Sequence, residues 1–194
     1  MPIADRPKPS RRSIRLPQYD YAQAGVYFVT VCCHRHRCIL GKIDNFQIHL
    51  NWAGRLVAEC WLEIPYHFAN AVLDAFVVMP NHLHGIVVLN VGAQHAAPLQ
   101  RQTSTVLRRN VSPGSLSAIV RSFKSAASKR FHEHKRDLRV PLWQRNYYEH
   151  VVRNGEELDA IRRYIWTNAE RWAEDKENPA NLNAPRDTSK PPFL

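Results

Sequence analysis

The chain has 194 residues, of which 44% are hydrophobic and 23% charged, enough apolar side chain for one domain with a core that needs no disulfides. Twenty-seven Lys and Arg against seventeen Asp and Glu give a formal charge of +10, which favours an anionic partner, nucleic acid foremost. Collagen, coiled coil, disulfide scaffold and membrane-spanning classes fall away. Four cysteines, two adjacent at Cys32 and Cys33, make no framework, and the apolar runs at 76–79 and 86–89 are far shorter than the ~20 residues of a spanning helix.

Residues 1–21 hold Pro2, Pro7, Pro9 and Pro17 among Arg6, Lys8, Arg11, Arg12 and Arg15 and are expected to form a basic extended arm. No apolar h-region follows, so no secretory signal is expected. A reducing cytoplasmic setting, at the nucleoid, is the expectation. One domain is expected over residues 22–177, followed by a Pro-rich polar tail at 178–194. Residues 26–33 are β-branched and aromatic, a strand. Residues 50–64 repeat apolar side chains at Ala53, Leu56, Val57, Cys60, Trp61 and Ile64, a helical period. Residues 71–79 and 83–89 flank the turn dipeptide Pro80-Asn81 and pair as a hairpin. The polar stretch 91–113 has no sustained period and reads as a long loop. A second amphipathic helix covers 116–130, an aromatic strand 142–152, and a third helix 156–174. Strand, helix, hairpin, helix, strand predicts an α+β, ferredoxin-like (split βαβ) antiparallel sheet with helices on one face. The additional C-terminal helix then lies against the sheet or its edge.

Three histidine pairs have the spacing His-x-His: His34/His36, His82/His84 and His132/His134. The last pair sits at a helix end, where i and i+2 point about 200° apart and share no ligand. Cys32, His34, His36 and Cys38 would fall on one strand face, but extended chain at ~3.3 Å per residue spreads them over about 20 Å. A zinc site there cannot close without a sharp bend. His82 and His84 open an apolar strand with Leu83 buried between them, so both imidazoles share the opposite face. At about 6.6–7 Å between their backbones they can converge on one cation, or stand as two half-exposed strand histidines.

The third helix offers a further ligand. Leu158, Ile161, Ile165 and Trp172 form one stripe, with Asn168 inside it and Tyr164 at its edge. A buried amide needs a partner. Its oxygen suits a hard divalent cation, although a helix-to-sheet hydrogen bond would satisfy it as well. Tyr164 would stand beside that cation, or serve as a boundary aromatic with a wet hydroxyl.

MPNHLHGIV at 79–87 resembles the His-hydrophobe-His signature of single-tyrosine HUH nucleases. LWQRNYYEHVVRN at 142–154 and RRYIWTN at 162–168 resemble the REP-associated tyrosine transposases, bacterial relatives of single-strand insertion-sequence transposases. The resemblance runs from about residue 11 to 172. It implies a ferredoxin-like fold and a metal-dependent endonuclease that cuts and rejoins single-stranded DNA beside a hairpin of a repetitive extragenic palindrome. It further implies His82 and His84 as metal ligands, Tyr164 as the nucleophile that forms a 5′-phosphotyrosine, and Mg²⁺ or Mn²⁺ as cofactor. Asn168 stands where mobile relatives usually carry Gln; it keeps the amide oxygen on a shorter reach. The loop at 91–113 departs from the pattern.

Tyr147 and Tyr148 rival Tyr164 as nucleophile but lack a ligand at helical spacing, and suit base stacking or core filling better. Candidate DNA contacts are Arg11, Arg12 and Arg15 of the arm, Arg121 and Lys124 of the second helix with the basic run Lys129, Arg130, Lys135, Arg136 and Arg139 behind them, and Trp143, Arg145, Tyr147 and Tyr148 of the aromatic strand. The expected partner is single-stranded DNA with palindromic hairpins, with no membrane and no obligatory protein partner. Two other readings stand beside this one. A non-catalytic single-stranded DNA or RNA hairpin-binding module of ferredoxin-like fold would share the sheet, although no RNP1 motif is present. A zinc-dependent regulator would use Cys32 to Cys38.

Overall fold

The computed structural model describes residues 20–90, 112–136 and 140–182. The basic arm with Arg11, Arg12 and Arg15, the insert from 91 to 111, Arg139 and the tail beyond 182 lie outside the described residues.

Strand β1 (Gly25–Cys32) leads through a 3₁₀ turn (His34–His36) to a small hairpin, β2 (Gly41–Asp44) and β3 (Gln47–Leu50). Helix α1 (Trp52–Leu62) and the single turn α2 (Ile64–His67) follow. Next come β4 (Ala71–Val78), β5 (His82–Leu89), α3 (Leu116–Lys135), β6 (Tyr148–Val152) and α4 (Gly155–Trp166). The main sheet has the order β4-β5-β1-β6, and every neighbouring pair is antiparallel. Strand β5 thus lies between β1 and β4, which α1 connects: the expected α+β, split βαβ, ferredoxin-like sheet.

The alternation of side chains along β1 and β5 divides the core into two layers. Tyr27, Val29 and Val31 with Leu83, Val87 and Leu89 meet Ala53, Val57, Cys60 and Trp61 of α1 and Ile119, Val120, Phe123 and Ala127 of α3. Phe28 and Ile86 point the other way and meet Ile161 and Ile165 of α4. The C-terminal helix therefore covers the second face of the sheet. An Arg162–Asp74 ion pair with contacts at 2.6 and 3.0 Å fastens it to β4, at the register irregularity between Leu73 and Phe76. Each long helix starts on a side-chain cap: Asn51 accepts from the Ala53 and Gly54 amides, Ser115 from Ala118, and Asn154 from Glu157.

Several boundaries differ from expectation, and α3 runs on to Lys135. Helix α4 ends at Trp166 rather than running to 174; Thr167 caps it, and a 3₁₀ turn (Trp172–Glu174) follows. Strand β6 begins only at Tyr148. The segment before it meets β1 at one isolated bridge, Cys33 to Trp143, and the carbonyls of Gln144, Arg145 and Asn146 turn to the ammonium group of Lys124, not to a ladder. Hairpin β2–β3 has no counterpart among the elements the sequence predicts. Its turn residues Asn45 and Phe46 both have positive φ (48° and 61°), the signature of a tight primed turn. At the N-terminal edge, Tyr21 belongs to the core and not to the arm, its carbonyl accepting from the Leu116 amide.

Candidate active site

His82 and His84 occupy the first turns of β5 opposite Cys32 and Thr30 of β1. The period-2 pleat sends Leu83 into the first core layer and both imidazoles into the second. The two rings are fully buried, with centroids 4.4 Å apart. Each is oriented through Nδ1. His82 meets Asn81 Oδ1 at 2.8 Å, and His84 meets Thr30 Oγ1 at 2.8 Å. An amide oxygen only accepts, so His82 donates through Nδ1 and its Nε2 carries a lone pair. The His84 ring also stacks on Phe28, centroids 5.3 Å apart.

Helix α4 brings Tyr164 to this pair. Its hydroxyl lies 3.2 Å from His84 Nε2, and its ring stands edge-on to Phe28. Asn168 lies two residues past the helix end and four after Tyr164. Although α4 has stopped, the Asn168 amide donates to the Ile165 carbonyl, which keeps the side chain on the buried stripe. Asn168 is 1% exposed. Its carboxamide hydrogen-bonds toward both Tyr164 and Asp175, favouring their ionised forms.

Asp175 was not anticipated. It follows the 3₁₀ turn after α4, and its Oδ2 lies 3.8 Å from His82 Nε2. One ligand atom from each of His82, His84 and Asp175 falls within 4.8 Å of the others. A cavity of about 70 Å³ opens beside them, lined by Tyr164, Asn168, Arg171, Glu174, Asp175 and Lys176. The donors suit a divalent cation: two imidazoles, a carboxylate and an amide oxygen. Two of their atoms, His82 Nε2 and Asn168 Oδ1, are buried with no hydrogen-bond partner among the described residues, a costly arrangement that a bound cation would relieve.

Burial governs the electrostatics. It holds His84 down to about 3 and drives His82 well below the usual imidazole range, reinforced by neighbouring His84 and His36. Both rings are neutral at pH 7 and available as ligands. Burial, and after it the charge of Asp175, raises Tyr164 above the ordinary phenol value. Burial also pushes Asp175 up to about 6. Arg171, 6.0 Å over the Tyr164 ring, opposes both increases.

The other candidate residues are dispersed. Trp143 is buried and packs against Phe123 at 5.7 Å, within the first core layer. Lys124 directs its ammonium group to the three carbonyls of residues 144–146, which uses its three donors in place of a phosphate contact; burial lowers it to about 8. Arg121 and Arg145 are exposed. Arg130 pairs bidentately with Glu63, and Lys129 faces Glu133. Tyr147 packs on the first layer and Tyr148 on the second, the latter edge-on to Phe28. The run Cys32, His34, His36, Cys38 does not share one face: Cys38 is exposed, and the turn at 34–36 separates its two histidines.

No protein-family model matches the chain. An uncharacterized protein of Haemophilus influenzae is 39% identical over 168 residues, which cover 86% of this chain and 92% of that protein. Among solved structures, a REP-associated tyrosine transposase bound to a REP hairpin has the same fold: TM-score 0.55, 19% identity, 84% of this chain and 76% of that one. A candidate transposase of Deinococcus radiodurans aligns more weakly, with TM-score 0.44 and 18% identity over 78% of this chain and 95% of its own. No described helix is long and apolar enough to cross a membrane.

Proposed function

We propose that this chain, which belongs to one family with the Haemophilus influenzae protein and has the fold of a REP-associated tyrosine transposase, is a metal-dependent single-stranded DNA endonuclease and strand transferase. It acts beside palindromic hairpins, within one catalytic domain of about residues 22–177, on DNA of the nucleoid. The observation that carries this reading is the meeting of the Tyr164 hydroxyl with His84 Nε2, inside a cluster that also holds His82, Asp175 and Asn168.

His82, His84 and Asp175, with the Asn168 amide oxygen beside them, would hold the cation, for which Mg²⁺ and Mn²⁺ are the expected species. When bound, it supplies Lewis-acid polarisation of a phosphate oxygen and favours the phenolate. The rest is work of the chain. Asn81 and Thr30 fix the two rings through Nδ1 so that both Nε2 atoms face the site. Phe28 braces His84 and Tyr164 together. Arg171 stabilises negative charge on the tyrosine oxygen.

Tyr164 gives up its hydroxyl proton and attacks phosphorus in line. The bond formed joins its oxygen to the 5′-phosphate; the bond broken releases the 3′-oxygen, which takes up a proton. Attack by a 3′-hydroxyl on the phosphotyrosine reverses the sequence, restoring the diester and the tyrosine. The ester retains the energy of the original bond, so rejoining needs no nucleotide cofactor. Exposed Arg121 and Arg145, with Arg11, Arg12 and Arg15 of the arm, would contact phosphates and make binding strongly salt-dependent.

The test is a covalent-adduct assay. The protein is mixed with single-stranded hairpin oligonucleotides from its genome's palindromic repeats and with Mn²⁺ or Mg²⁺. The expected result is a protein–DNA band that survives denaturation and disappears with chelator. Retarded native complexes with no adduct, across metals and repeats, would replace the enzyme by a hairpin-binding module.

A further inference from the structure

A second group of metal-ligating side chains lies next to the first and plays no part in the proposed chemistry. Cys32 closes β1 and is the cross-strand partner of His82. Four residues on, His36 returns to it, because Arg35 and His36 both adopt left-handed backbone conformations (φ 55° and 53°). This is the sharp bend that an extended reading of residues 32–38 lacks. Glu177 arrives from the segment after α4. Its Oε2 is 3.3 Å from Cys32 Sγ and 3.0 Å from His36 Nδ1, and the three ligand atoms lie within 4.8 Å of one another.

We propose that Cys32, His36 and Glu177 form a second metal site, which takes a thiophilic divalent cation of the zinc type. Zinc holds sulfur at ~2.3 Å and nitrogen or oxygen at ~2.0–2.1 Å in a tetrahedron, which sets ligand pairs about 3.3–3.5 Å apart. The observed approaches are close to that spacing. His36 Nδ1 and Glu177 Oε2 do not meet along a hydrogen bond despite their proximity: Nδ1 is buried with no hydrogen-bond partner. A buried ring nitrogen left without a hydrogen bond among the described residues, 3.0 Å from a carboxylate oxygen, is open to an ion.

The site is also braced from outside. The buried Asn81 side chain donates through Nδ2 to the His36 carbonyl at 3.0 Å and to the Glu177 carbonyl at 2.6 Å, holding the backbones of two ligands together. Such outer supports are typical of metal centres. A thiolate ligand distinguishes this group from the oxygen- and nitrogen-only set of His82, His84 and Asp175, and selects softer ions than Mg²⁺ or Mn²⁺. A bound ion would tie residues 175–177 to the end of β1. The proposal does not depend on nuclease activity.

The experiment uses the full-length, reduced, metal-stripped protein titrated with Co²⁺ as a spectroscopic substitute for zinc. The expected result is a saturable thiolate-to-cobalt charge-transfer absorption that is displaced by zinc. Cys32→Ser should abolish it, and Glu177→Gln, a change at a half-exposed position, should weaken cobalt binding by roughly tenfold or more. Asp175→Asn and Cys38→Ser should retain it. No charge-transfer band in the wild-type protein, or a band that survives Cys32→Ser, would overturn the site. A band lost in Cys38→Ser would move the ligand to the exposed thiol, and a band lost in Asp175→Asn would merge the two groups into one centre; either result overturns the proposal.

Discussion

The Tyr164 hydroxyl and His84 Nε2 stand 3.2 Å apart across eighty residues of chain. One comes from a helix laid over the second face of the sheet, the other from the first turns of a central strand. With His84 donating through Nδ1 to Thr30, Nε2 accepts from the tyrosine, and each polar group of the trio is satisfied. A cation taken up by His84 Nε2 would replace that hydrogen bond, because the ring nitrogen has a single lone pair, and would find the tyrosine oxygen beside it.

Replacing Tyr164 by Phe removes the oxygen and leaves the ring against Phe28. The covalent adduct should disappear while hairpin binding, read by gel retardation, stays within about twofold. Stability should change by only ~1 kcal/mol, the net value of one hydrogen bond. An adduct that persisted would remove Tyr164 from its role and return attention to Tyr147 and Tyr148.

Thr30→Val keeps the shape of a buried side chain but deletes the Nδ1 partner of His84. Loss of such an outer support typically weakens metal binding by about 10–100-fold. Calorimetric titration with Mn²⁺ should show that loss, with hairpin affinity measured in chelator unchanged. Equal Mn²⁺ affinity in variant and wild type would mean that Phe28 stacking alone orients the ring.

Acid should destabilise the metal-free protein. Burial holds both His82 and His84 below the ordinary imidazole value, so the unfolded chain binds protons that the folded chain refuses. The stability they contribute is complete above ~6.5 and is lost as pH falls, by about 2 kcal/mol for His84 between pH 7 and 5, with His82 acting in the same direction. Thermal melts in chelator at the two pH values should show the decline, and His84→Gln should shrink it. A melting temperature independent of pH in that window would contradict neutral buried rings.

Gly85 follows His84 and faces the first core layer. A Cβ there would collide with the buried Trp61 indole, so Gly85→Ala should cost about 1–3 kcal/mol of overpacking. Because β5 carries both histidines, the shift should reach them too. Lower thermal stability together with weaker Mn²⁺ binding is the expected pair of results. Wild-type values of both would show that Trp61 has room to move.

The sequence by itself determined the fold class and the faces on which the candidate site residues lie. Alternation along residues 82–89 puts His82 and His84 opposite Leu83, and the helical repeat of Leu158, Ile161 and Ile165 carries Tyr164 with it. Both are local patterns, in which neighbours a few residues apart state which face is buried. Only the tertiary structure decided what lies in irregular chain or depends on distant partners. Asp175 and Glu177 follow the end of α4 in a segment without periodicity, and they are held by contacts such as Asn81 to the Glu177 carbonyl, 96 residues apart, and Asn181 to the Ala173 and Asp175 carbonyls. Trp143 and Lys124 are likewise placed by distant partners, because aromatic and basic residues carry no local mark of burial. One fills a gap beside Phe123 and the other collects three carbonyls that left the sheet. A side chain's type and period are written in its neighbourhood, whereas the partner it finds across the fold is set by how the layers close on one another.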